Sequence, residues 1–163
     1  RMLKYEVKAG STSSSSTDIP VFRYSEVLMM KAECLLRLGQ AGAGDLVTQV
    51  RRRAFKAHPE KAVVTDSQLK ENSSYQYGYY TSDYGEKVDR GNMDPVKFGR
   101  LYDEYGWEFA WEMGVRSRMI RFGTYTTKSW LSHQPQGDYR VLFPIPESAL
   151  TPNPKLEQNP NYK

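Results

Sequence analysis

Glu104, Glu108 and Glu112 recur at four-residue steps, so on a helix all three carboxylates line one face. Paired carboxylates are what acid/base hydrolysis of a glycosidic bond requires, which makes Glu108 and Glu112 the candidates for a glycoside hydrolase. Three like charges on consecutive turns form no evident cleft, however, and Arg51, Arg52, Arg53, Arg116 and Arg118 offer counter-ions. Structural ion pairing is therefore the leading reading, because charged groups that face other elements are normally paired. His58 and His133 stand in separate loops with no cysteine or paired carboxylate at metal-ligand spacing, and both are expected at the surface. No nucleophile elbow, phosphate loop or dinucleotide fingerprint occurs; the turn holding Gly42 and Gly44 lacks the following Lys-Ser/Thr and the strand before it. The expectation is a chain with no catalytic residue, no metal and no cofactor.

The run from Tyr75 to Tyr84, with Tyr77, Tyr79 and Tyr80 inside it, is the most suggestive binding feature. Sugars present apolar C–H faces ringed by hydroxyls, so a carbohydrate site wants flat aromatic platforms beside Asn, Asp, Gln or Ser. Tyr77, Tyr79, Tyr80 and Trp130 are the candidate ligand-binding residues. The same tyrosines could instead anchor a long loop onto the body, and that packing role takes precedence.

These residues need a scaffold. Residues 2–8 alternate enough for a short strand, and the serine run Ser13 to Ser16 reads as a surface loop. From Tyr24 to Leu38, Val27, Met30, Cys34 and Leu38, flanked by Leu28 and Leu35, recur at three- and four-residue steps and describe one helix face, ended at Gly39 by a left-handed cap. Asp45 is placed to N-cap a second helix running to about Ala57. The two form a helical hairpin over 24–57 of a length that suits a tetratricopeptide-like unit, and one hairpin cannot bury its apolar face alone. Residues 58–95 show no sustained period and read as a variable Tyr-rich loop. A long helix follows over 96–122, kinked or broken at Met113-Gly114, and Tyr139 to Phe143 reads as a strand.

At 163 residues the chain suits one domain, and no run of eighteen apolar residues occurs. The net charge of +4 is mild and spread among nineteen acids, which argues against a nucleic-acid surface. The single cysteine, Cys34, cannot form an intrachain disulfide and reads as a small core residue.

Five of the nine prolines fall in the last twenty-two residues, where Leu142-Phe-Pro-Ile-Pro146 is followed by Gln158-Asn-Pro-Asn-Tyr162. Prolines remove donors and exclude helix, so the tail must be an extended strap, with Leu142, Phe143, Ile145, Leu150 and Leu156 laid against a body. This tail resembles the C-terminal signature of the SusD/RagB family. Two further stretches match that family in order: Asp18-Ile-Pro-Val-Phe-Arg-Tyr onward to Glu33, leading to Val50-Arg-Arg-Arg-Ala54, and Glu104-Tyr-Gly-Trp-Glu-Phe-Ala-Trp-Glu112, leading to Met119-Ile-Arg-Phe-Gly123. One departure is local: Arg118 stands where family members commonly carry an aspartate, and Met113-Gly114-Val115 replaces Gly-His-Arg.

The resemblance implies a mainly α fold, an α/α superhelical part in which residues 1–163 are the C-terminal portion of a longer protein, ending in the strap 139–163. It implies a non-catalytic glycan-binding lipoprotein of the bacterial outer-membrane surface, working with a TonB-dependent SusC-like transporter and with its own N-terminal part. Much of the glycan contact would then lie outside this chain. A tetratricopeptide-like adaptor for peptides is the rival from another class.

Overall fold

The computed structural model describes residues 4–5, 9–10, 12, 17–81, 87–131 and 133–162. As expected it is mainly helical. It divides into two compact units, Arg1–Tyr75 with Pro95–Val115, and Gln76–Asp94 with Arg116–Lys163. The strand expected over residues 2–8 and the serine run lie largely outside the described residues.

The first unit is built on a hairpin of α1 (Tyr24–Arg37) and α2 (Ala43–Arg51). Leu28, Met29, Ala32 and Leu36 of α1 are buried, as are Ala43, Val47 and Val50 of α2. The stripe that the spacing singled out, Val27, Met30, Cys34 and Leu38, faces outward instead. Helix α1 is apolar on more than one face, so period alone does not decide which stripe goes in; the small side chains of Ala32 and Ala43, both fully buried, allow the close approach that does. Gly39 takes φ +69° and closes α1, as the sequence predicts.

The N-cap position of helix α2 is Gly42, not Asp45, and the helix ends at Arg51 rather than Ala57. Its cap comes from outside: the Asp66 carboxylate accepts from the backbone N–H of both Gly42 and Gly44. Asp66 opens α3 (Asp66–Leu69), itself started by a reciprocal Thr65–Gln68 capping box. A Cβ on Gly44 would come within 2.5 Å of the Val64 carbonyl, so glycine there lets the two segments meet. Residues 58–95 are therefore not structureless; they hold a 3-10 turn (Pro59–Ala62), α3 and the strands below.

The long helix is also shorter than expected. Helix α4 spans Gly99–Glu108, starting after Phe98 at φ +57° and stopping before Trp111 at φ +64° and Gly114 at φ +89°. Buried Asp103 anchors the preceding loop by accepting from the Ser73 hydroxyl and from the N–H and hydroxyl of Ser74.

The second unit contains a two-stranded antiparallel ladder, β1 (Tyr79–Thr81) with β2 (Lys87–Arg90), bulged between Tyr80 and Thr81. Helices α5 (Val115–Arg121) and α6 (Glu147–Leu150) follow. The strand expected at 139–143 is a 3-10 turn, Asp138–Val141, from which extended chain leaves at Leu142. The strap beyond it closes on itself. The Gln158 amide accepts from Ile145 N at 2.8 Å and donates to its carbonyl at 2.9 Å, Asn159 donates to Phe143 O, and the Tyr162 hydroxyl donates to Leu142 O. Leu142 and Phe143, expected to be laid against a body, are largely exposed, and polar clasps rather than apolar burial hold the strap. Arg116 of α5 pins its start by donating to the carbonyls of Arg140 and Val141.

Candidate functional site

Strand β1 carries Tyr79 and Tyr80, and its free edge is taken by the segment 129–131: Gly78 N donates to Ser129 O at 3.1 Å and Thr81 N to Leu131 O at 2.7 Å. Trp130 and His133 then exchange backbone hydrogen bonds across a tight turn in which Leu131 adopts φ +43°. The fold thus brings Trp130 to the strand of Tyr79 and Tyr80, with Tyr77 one residue before Gly78. Adjacent strand residues face opposite sides, so Tyr79 and Tyr80 do not share one surface. Tyr77 and Tyr79 each engage other groups in the protein. Tyr84 lies outside the described residues. Tyr75 belongs to the first unit, where its hydroxyl accepts from Trp107 Nε1.

His133, expected at the surface, is half-buried and lies flat on Trp130, ring centroids 3.8 Å apart and planes 20° apart. Tyr125 continues the stack on His133, and the Arg116 guanidinium sits 5.0 Å from the Tyr125 ring and 4.0 Å from that of Phe143. Nothing in the spacing of these residues foretold the column, because its members are brought in by turns. His58 is an exposed residue near Glu60, in keeping with its sequence reading.

Lys128 was also missed. Its side chain is buried, 4% exposed as a residue, and its Nζ donates to Asn92 O and Asn92 Oδ1, both at 2.9 Å, and to Asp94 O. Burial pushes its ammonium below the usual lysine range against the opposing field of Asp94.

The glutamates of the first unit are engaged in ion pairs. Glu104 takes Arg51 at 2.6 Å and Arg100 at 2.8 Å; Glu108 takes Arg23 and Arg53. Glu112 takes Lys4 and Arg23, both at 2.6 Å, from a turn beyond α4 rather than from a shared helix. Burial of Glu112 opposes its ionisation, but the hydrogen bonds from Arg23 and Lys4 outweigh it and hold the carboxyl below the ordinary glutamate range. Arg51 and Arg53 are counter-ions as expected, whereas Arg116 is directed to carbonyls. A cavity of about 450 Å³ beside these pairs is floored by Met29, Val47, Val50 and Phe55. Among the described residues no group of His, Cys, Asp and Glu could hold a metal ion.

A family profile described as the SusD family matches residues 1–162. The chain is similar to the starch-binding protein SusD of Bacteroides thetaiotaomicron, 28% identical over 155 residues that make up 90% of this chain and 22% of that protein. It is also similar to a SusD-like protein of Formosa agariphila, 31% identical over 145 residues, 83% of this chain and 22% of the relative. The chain therefore spans about a fifth of the length of these curated relatives. No solved structure matches.

Proposed function

The chain belongs to the SusD family, and from that premise we propose that it serves a protein that binds oligosaccharide or polysaccharide at the bacterial outer-membrane surface without cleaving it and delivers it to a TonB-dependent SusC-like transporter. In this reading the intact protein is a surface lipoprotein and residues 1–163 form its C-terminal portion. Among the described residues no helix is long and apolar enough to cross a membrane.

One observation carries the binding role: Trp130, backed by the ring of His133 at 3.8 Å, is held on the edge of the strand that bears Tyr79 and Tyr80. A ring fixed in place offers a sugar face a contact at low entropic cost. We assign ligand contact to Trp130 and Tyr80, with Tyr77 and Tyr79 as the rings that anchor the segment. The absence of cleavage is supported by the saturation of Glu104, Glu108 and Glu112 with arginine and lysine partners. A carboxylic acid that must donate a proton needs a raised pKa, and Glu112 has a lowered one.

The outward stripe of α1, Val27, Met30, Cys34 and Leu38, is assigned to contact with further parts of the same polypeptide, in line with relatives of which this chain matches 22%. An adaptor for peptides would need more hairpins than the one formed by α1 and α2.

Electrophoresis of the intact protein through gels containing soluble starch, and a panel of other polysaccharides, tests the reading. Retardation by at least one glycan, weakened about fivefold in Trp130→Ala, is expected from a lost stacking contact of ~1 kcal/mol. No retardation by any glycan, or reducing ends released by wild type and lost in Glu108→Gln, would overturn it.

A further inference from the structure

Three backbone segments meet beneath the Trp130 platform with no room between them. A Cβ on Gly78 would lie 2.1 Å from Asn92 O, and one on Gly91 would lie 2.9 Å from the Ser129 hydroxyl and 3.0 Å from Gly78 O. Gly91 N donates to Gly78 O at 2.7 Å, continuing the β1–β2 pairing by one bond. Beyond that bond the chain turns through Asn92 to Asp94, where Asn92 Oδ1 accepts from Asp94 N and, together with Asn92 O and Asp94 O, also from Lys128 Nζ. An ammonium has three donors, and here three oxygens of one turn take them.

We propose that Lys128 is a positioning residue of the candidate carbohydrate site: its ammonium clamps the Asn92–Asp94 turn onto Ser129 and thereby fixes Trp130 against β1. The inference rests on the platform reading of Trp130 given above. Filling the same space would not need a charge, since a methionine has a similar stem and none of the desolvation cost of a buried ammonium. What the charge adds is direction. Lys128 lies two residues before Trp130, and Ser129 between them is buried and accepts from Gly78. The clamp and the platform are thus one short piece of chain, gripped from both sides.

The test uses the intact protein with Trp107→Phe and Trp111→Phe, so that Trp130 is the tryptophan of this chain that fluoresces; any tryptophan elsewhere in the protein is corrected for with a Trp130→Phe control. Lys128→Met should raise acrylamide quenching of Trp130 about twofold, as expected when a loosened segment admits small solutes, and should lose glycan retardation to the extent that Trp130→Ala does. In wild type the same rise should appear on raising the pH through a midpoint below the ordinary lysine range, because a neutral amine has two donors for three acceptors; Lys128→Met should show no such transition. Asp94 is the charged group whose field acts on Lys128, and Asp94→Asn should move that midpoint lower still. Should Lys128→Met fail to fold, Asn92→Ala removes one acceptor and should give a smaller rise of the same sign. Unchanged quenching in either variant that folds overturns the clamp. Freed Trp130 with glycan retardation unaltered in both Lys128→Met and Trp130→Ala overturns the platform reading and, with it, the role of Lys128 in binding.

Discussion

Arg51 shows how thoroughly the charges of the hairpin are used. Its Nη1 donates to both oxygens of Glu104, its Nε to Ala62 O and its Nη2 to Lys61 O, while its guanidinium lies 4.7 Å from the Phe55 ring. Glu104 is 4% exposed, so removing its charge leaves a mostly buried guanidinium short of its counter-ion. Glu104→Gln should therefore cost about 3 kcal/mol in urea unfolding, whereas exposed Arg52→Ala should stay within about 0.5 kcal/mol. Glu112 sets a pH dependence of definite sign. Its folded carboxyl is held below the ordinary range, so its contribution to stability is complete above the unfolded pKa and disappears as pH falls through the lowered folded value. Melting temperatures of wild type should fall through that acid window, and those of Glu112→Gln should fall less. A parallel decline in both would show that Glu112 is not the group responsible.

Helix ends were where local reading and structure diverged most, and the divergence has a physical cause. The hairpin was legible because α1 and α2 repeat apolar residues at helical spacing; the cap of α2 was not, because its donor-accepting carboxylate, Asp66, lies 24 residues from Gly42. Asp66→Ala should destabilise by about 1 kcal/mol, the usual worth of an N-cap, while Asp45→Ala should cost less; chemical denaturation of the two variants decides between the expected cap and the observed one. Strands β1 and β2, three and four residues long, are too short to show a period, so residues 58–95 read as loop. Prolines announced the strap, but not its fastening: Gln158 pairs with both backbone groups of Ile145, the one residue between Pro144 and Pro146 that still has an N–H to give. Of the candidate site, the tyrosines and Trp130 were legible as residue types. Their meeting was not, since turns around Gly78, Gly91 and Leu131 bring it about.

At the scale of the molecule the outward stripe of α1 separates two situations. Val27 is 50% and Met30 38% exposed here, and Leu38 and Cys34 are exposed with them on one helix face. Contiguous apolar surface of this kind on a packed helix normally meets another element. If further polypeptide covers it in the intact protein, a charge placed there becomes a buried, unpaired charge, costing several kcal/mol or forcing the helices apart. If the stripe faces water, the same charge is a surface substitution and stability moves by no more than about 0.5 kcal/mol. Met30→Lys in the intact protein should thus lower the unfolding free energy by about 2–4 kcal/mol, on the scale of other disruptive core changes. Lys31→Met, one residue along and already exposed, is the control for any general intolerance of change in α1. Equal and small effects of the two substitutions would leave α1 as a free surface, and the assignment of the stripe to the rest of the polypeptide would fall.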